Sequence, residues 1–185
     1  MPQTPKRPIL LYDHSGTYIN VAVGVVDQCR KSLLGQHQRI EHCLGQLTDE
    51  QVWHRPGPGL NSIGILLCHL RGNVGQWIVH PLGGEAFDRD REAEFAANGE
   101  SHSGRARGEL ADMVSRATAV LARLRDGSPT DLEKTLLSPL KIQGIETTGL
   151  GAMLHSTGHF EGHAQEVVAL TRQAVGDRYQ GLFAL

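Results

Sequence analysis

Four separate stretches of this chain place apolar residues at alternating steps of three and four. That pattern admits little except amphipathic α-helices packed on one another. The first starts near Asn20, where Val26, Cys29, Leu33, His37, Ile40, Leu44 and Leu47 form one stripe. The second runs from about Ser62 to Val79, with Ile63, Leu66, Leu67, Leu70, Val74, Trp77 and Ile78 on its apolar face. The third covers about Arg107 to Arg125 through Leu110, Met113, Val114, Ala117, Val120, Leu121 and Leu124. The fourth spans about Thr148 to Ala174, with Met153, Phe160, Ala164, Val167 and Val168 as its packing face. These helices and their uneven connections predict an all-α fold, a four-helix bundle, as one domain over residues 1–185.

The connections carry their own signals. Residues 1–18 hold three prolines and read as an extended lead-in. Thr48-Asp49-Glu50-Gln51 is a capping-box pattern, and Asn61-Ser62 offers the next N-cap. His80-Pro81 is expected to end the second helix. Residues 85–105, with charges alternating over Asp88-Arg89-Asp90-Arg91-Glu92, read as a long solvated loop or a lid. Residues 132–148 lack a helical pattern and predict a short β-hairpin, with Leu136-Leu137 on one arm and Ile142 and Ile145 on the arms near its turn. After Gly176 a tail follows, in which Tyr179, Leu182 and Phe183 can dock on the body or on a second copy.

The formal net charge of −2 gives no basic face for nucleic acid. No apolar stretch is long enough to span a bilayer. The run Ile9-Leu10-Leu11-Tyr12 is interrupted by Asp13 and His14, so no signal peptide is expected. Cys29, Cys43 and Cys68 are odd in number and show no pairing pattern. They read as reduced thiols in a cytoplasmic protein, with Cys68 packed in the core.

The chemistry lies on the fourth helix. His155, His159 and His163 recur every fourth residue. Each such step turns a helical side chain by only about 40°, so the three rings stack along one face. His159 and His163 can share one metal ion. His69, at the edge of the second helix's stripe with Asn73 one turn on as its candidate partner, completes a set of three imidazoles with an open position. Such a set suits zinc or nickel, and manganese, iron or cobalt are compatible. Glu166, one turn past His163, is first a carboxylate acceptor for an imidazole N–H; as a fourth ligand or general base it would act directly, and as a surface group it would pair with Arg172. His155 faces substrate, supports a ligand or simply lies on the helix face, and is not expected to ligate. His37 reads as a structural histidine satisfied by one hydrogen bond. Two rival metal motifs fail on spacing. In His159-Phe160-Glu161-Gly162-His163 the glutamate is two residues from His159, about 160° away around the helix, unlike the zinc-protease motif. No Glu-x-x-His occurs, as a di-iron bundle requires.

Asn61-Ser62-Ile63-Gly64, His69-Leu70, Gly72-Asn73 and Gln76-Trp77-Ile78, followed by His155-x-x-x-His159-x-x-x-His163, resemble the DinB-like (damage-inducible B) superfamily. Arg89-Asp90-Arg91-x-x-Glu94-Phe95 resembles one uncharacterised bacterial branch of it. The likeness spans about Cys29 to Gln173. It implies an up-down-down-up four-helix bundle, commonly a homodimer, with a divalent metal on residues matching His69, His159 and His163. Related members are transferases and isomerases that use a low-molecular-weight thiol. The chain departs from the usual His-x-Gly-Gln ending by having His163-Ala164-Gln165-Glu166. The expected activity is therefore a metal-dependent transfer to or from such a thiol on a small-molecule substrate. The alternatives are a hydrolase using metal-activated water, with Glu166 or His155 moving protons, and a non-enzymatic bundle in which the metal ties helices together.

Overall fold

The computed structural model describes residues 15–98 and 103–182. The fold is all-α apart from one two-stranded hairpin. The helices are α1 (Ser15–Leu44), α2 (Asp49–Trp53), α3 (Ile63–Val74), α4 (His80–Gly83), α5 (Arg91–Ala96), α6 (Ser103–Asp126), α7 (Pro129–Leu137) and α8 (Gly149–Val175). Strands β1 (Pro139–Ile142) and β2 (Ile145–Thr148) pair antiparallel between α7 and α8. Helix α1 packs on α6 and α8, and α3 packs on the same two from the other side. The shared core holds Leu33 and Ile40 of α1, Leu66 and Leu70 of α3, Leu110 and Leu121 of α6, and Met153 and Phe160 of α8. No described helix is long and apolar enough to cross a membrane.

Caps set several helix starts. Thr48 and Gln51 form the reciprocal capping box of α2. The Ser62 side chain accepts from Ile65 N at the start of α3, and Thr148 accepts from Gly151 N at the start of α8. The two-residue turn Gln143-Gly144 joins β1 to β2 with φ of 53° and 81°, and Ile142 faces Ile145 across it. Positive φ at both positions matches the twist of the two strands.

The structure corrects several expectations. Helix α1 begins at Ser15, so residues 15–18 are helical; the rest of the lead-in, 1–14, lies outside the described residues. Its early turns expose Tyr18 and Val21, and no buried stripe marks them in the sequence. Pro81 does not stop the second helix. A π turn over Gly75–Val79 follows α3, and α4 continues to Gly83, with Gly84 as its left-handed cap. Pro81 occupies the first turn of α4, where its missing N–H is tolerated. Residues 129–137 are helical: Ser128 caps α7, Pro129 opens it, and Leu132 and Leu136 are buried one turn apart. Leu136-Leu137 therefore end a helix and do not form a hairpin arm. In the tail, the Arg172 guanidinium lies 4.8 Å over the Tyr179 ring, which packs against the core; Phe183 lies outside the described residues.

The 85–105 segment differs most. Asp90 accepts from Ala93 N and starts α5, and α6 begins at Ser103. Residues 99–102 lie outside the described residues. Within this segment Arg89 and Glu94 are buried, with side chains only 4% and 6% exposed, instead of solvated. Helix α5 packs on α3 because two glycines leave room. A Cβ at Gly72 would overlap Glu94, and one at Gly75 would run into the Phe87 ring.

Candidate metal centre

Helices α3 and α8 bring three imidazoles together at the middle of their contact. His69 is buried on α3, and His159 and His163 are half-buried one turn apart on α8. His69 Nε2 lies 2.9 Å from His159 Nε2. The His163 ring centroid is 4.5 Å from that of His159 and 5.3 Å from that of His69, nearly perpendicular to both. One ring nitrogen from each of the three lies within 4.8 Å of the other two. Among the described residues this is the set that could hold a single ion.

Carboxylates hold two of the rings from behind. His69 Nδ1 is 3.1 Å from Glu94 Oε2, and His163 Nδ1 is 2.7 Å from Glu166 Oε2. The expected partner of His69 was Asn73, but Asn73 instead accepts a 2.8 Å hydrogen bond from Ser156 Oγ across the same interface. Glu94 is in turn gripped by Arg89, whose Nε donates to Oε1 at 2.6 Å and whose Nη2 donates to Oε2 at 2.8 Å. This two-pronged pairing is the strong form of a charged hydrogen bond. Sequence reasoning missed Arg89 and Glu94 as site residues. The available signal was Gly72, a glycine one turn past His69 in an apolar helix, where a glycine costs about 1 kcal/mol unless something must approach closely.

The remaining candidates fall outside the cluster. His155 is exposed; its ring lies 4.0 Å from Trp77, tilted by 32°, and parallel to His159 at 5.9 Å. His37 Nε2 is 3.6 Å from Glu41 Oε1, and neither atom makes a hydrogen bond among the described residues. The hydrogen bond expected for His37 is not made at Nε2, and burial pushes the ring's pKa down, which favours the uncharged form beside Glu41. Among the described residues Glu166 pairs with His163, and Arg172 lies over the Tyr179 ring.

The electrostatics favour a neutral His159 and an ionised Glu94. Burial pushes the His159 pKa down to about 4, and the neighbouring His163, His69 and His155 add to the shift. The ring is therefore neutral at pH 7, as a metal ligand must be. Burial pushes the Glu94 carboxyl up, but the hydrogen bonds from Arg89 and His69 outweigh it and leave the pKa below the usual carboxylate value. His69 Nδ1 thus faces both the Glu94 carboxylate and Arg89 Nη2, 3.2 Å away, while its Nε2 is turned toward His159. The donor set fits a divalent ion that prefers nitrogen: three imidazoles, two of them with the far nitrogen against a carboxylate.

A cavity of about 320 Å³ lies on the other side of Glu94 and Arg89, walled by Trp53, Phe87 and Cys68. It reaches the carboxylate that holds His69 but is not lined by the three histidines.

The chain belongs to a DinB-like family described as protein of unknown function (DUF1572), whose model matches residues 20–184. No curated protein matches the sequence.

Proposed function

We propose that this DUF1572 protein binds one divalent metal ion, zinc or nickel, on His69, His159 and His163. We further propose that it transfers a group to or from a low-molecular-weight thiol. The observation that carries the metal reading is the convergence of three imidazoles from two helices, with Glu94 and Glu166 behind two of them. The four long helices are read as the up-down-down-up bundle that the family likeness implies, with the site at the α3–α8 contact and a second copy as partner.

A bound ion would supply Lewis acidity at its open position, lowering the pKa of a thiol held there. The chain's own residues do the positioning. Glu94 orients His69 through Nδ1, and Glu166 does the same for His163. His155, exposed beside His159 with its ring tilted over Trp77, is the group placed to exchange a proton with solvent. The thiol comes from outside the chain. Burial raises the pKa of Cys29, Cys43 and Cys68, so none offers a ready thiolate. Because Glu166 is engaged by His163, a hydrolytic reaction would have to rely on His155 alone.

Elemental analysis of the protein as isolated tests the reading. About one equivalent of metal is expected, and His159→Ala should lower it at least about tenfold while the helical circular dichroism persists. Loss of the fold together with the metal would instead indicate an ion that only ties α3 to α8. With an activated aryl halide as electrophile, turnover should require an added thiol. Turnover without one would replace the transferase with a hydrolase.

A further inference from the structure

Helix α5 gives the histidine cluster a second neighbour besides Glu94. The next residue, Phe95, lays its half-buried ring beside His69, with centroids 5.1 Å apart and planes tilted by 43°. The helix that carries it is anchored at both ends. Asp90 caps its first turn, Glu94 is buried, and Arg55 donates to the Phe95 carbonyl at 3.1 Å. The ring is therefore a held wall of the site. Arg91, one turn before Phe95 on the same helix face, carries its guanidinium 5.5 Å over that ring. Arg91 is exposed and His69 is buried, so the order runs from His69 through Phe95 to a cation at the surface.

That cation has no counter-charge of its own. Among the described residues Arg91 forms no ion pair and its N–H donors meet no acceptor; its contact is the Phe95 ring. The arginines around it are committed: Arg89 to Glu94, and Arg71 and Arg105 to Glu109. The carboxylates of its own segment lie elsewhere. Asp88, Asp90 and Glu94 line the cavity on the far side of α5, which neither Arg91 nor Phe95 lines. Glu92 is adjacent in sequence and so points to another side of the helix. On the histidine side the facing carboxylate is Glu166, and it is held by His163. A divalent ion on the three imidazoles would make this mouth more positive still. Such a mouth draws anions, and a guanidinium grips a carboxylate with two parallel donors.

We propose that Arg91 is a specificity-determining residue: it binds a carboxylate of the thiol that occupies the open position of the histidine site, so the co-substrate is an acidic low-molecular-weight thiol. Phe95 steadies the guanidinium beside the site and leaves its fork free for the carboxylate. The inference rests on the metal and thiol readings above. It is separable from them, because it concerns the preference between two thiols and not the binding of either.

The test uses full-length, zinc-loaded protein as wild type, Arg91→Met and Arg91→Lys. Arg91 is exposed, so the variants should fold and hold as much zinc as wild type. The probes are acetyl-cysteinyl-glycine with its free C-terminal carboxylate and the same peptide as its C-terminal amide. In calorimetric titrations at low salt, wild type should favour the acid at least about fivefold. Arg91→Met should bind the two alike, and Arg91→Lys should keep part of the preference. The preference should shrink as salt is added, which a purely structural role would not produce. With an uncharged activated aryl halide as electrophile, Arg91→Met should raise KM for the acid and leave kcat and the amide's KM unchanged. Equal binding of acid and amide by wild type, or a preference that survives intact in Arg91→Met, would overturn the assignment. So would an Arg91-dependent preference that appears only for a carboxylated over an uncharged aryl halide, since the anion would then sit on the electrophile. Failure of the protein to bind zinc, or of zinc-loaded wild type to bind either peptide, would remove the underlying reading and this inference with it, and shows in wild type before any variant is compared.

Discussion

Glu94→Ala is expected to lower folding stability by about 3–5 kcal/mol, a large part of what holds a domain of this size together. The loss does not come from the carboxylate's contacts alone. Arg89 is 4% exposed, and its fork is filled by Glu94. Removing Glu94 takes away the carboxylate and leaves the buried guanidinium, among the described residues, with Gln76 Oε1 and the neighbouring His69 Nδ1 as polar partners and no counter-charge. The double variant Arg89→Met/Glu94→Leu separates this cost from the cost of cutting the loop's packing. Replacing both charges with apolar groups removes the stranded ion, so the double variant should be more stable than Glu94→Ala. Denaturant unfolding of the three proteins measures the difference. Equal losses in the single and double variants would mean that the pair contributes through shape and not charge.

Gly72→Ala should also destabilise the protein, by about 2–3 kcal/mol, although alanine is the better helix former. At Gly72 the added methyl would overlap Glu94 Oε1 and lie 2.9 Å from Arg89 Nε. Both atoms belong to a buried pair with little room to move, so the carboxylate must leave its seat. Metal affinity should fall with it, at least about tenfold, because His69 loses the acceptor that orients it. Gly108→Ala is the internal control. It lies within α6 with nothing within 4 Å of the would-be Cβ, and there the same exchange should stabilise by roughly 1 kcal/mol. Opposite signs at the two positions, read from thermal unfolding with metal removed, are the expected result. A neutral Gly72→Ala would show that the α5 segment can shift at no cost and does not hold His69.

The parts of this architecture that follow local rules were legible in the sequence. The stripes through Leu33, Leu66, Leu110 and Phe160 are the core, and Thr48 and Ser62 cap the helices their side chains suggested. His159 and His163 share a face because four residues make about one helical turn, and His69 meets them because it borders a buried stripe. The bond from His163 to Glu166 follows from the same spacing rule. What escaped depends on contacts between segments remote in sequence. Arg89 and Glu94 sit among alternating charges that look solvated, and they are buried only because Gly72, far upstream, leaves a notch for them. Asn73 lay at the right spacing to serve His69, but Ser156 from another helix claimed it. The π turn at Gly75–Val79 carries no periodic signature of its own, so the passage of the helix beyond Pro81 could not be read in advance. Helix α7 is short, and its two buried leucines were too few to mark a stripe.

The central claim is that His69, His159 and His163 bind one ion together. X-ray absorption at the metal edge of the protein as isolated tests it most directly. The account predicts a first shell containing three imidazole nitrogens at about 2.0–2.1 Å if the ion is zinc, with one nitrogen lost in His69→Ala. A first shell made only of oxygen, or one unchanged by His69→Ala, would contradict it.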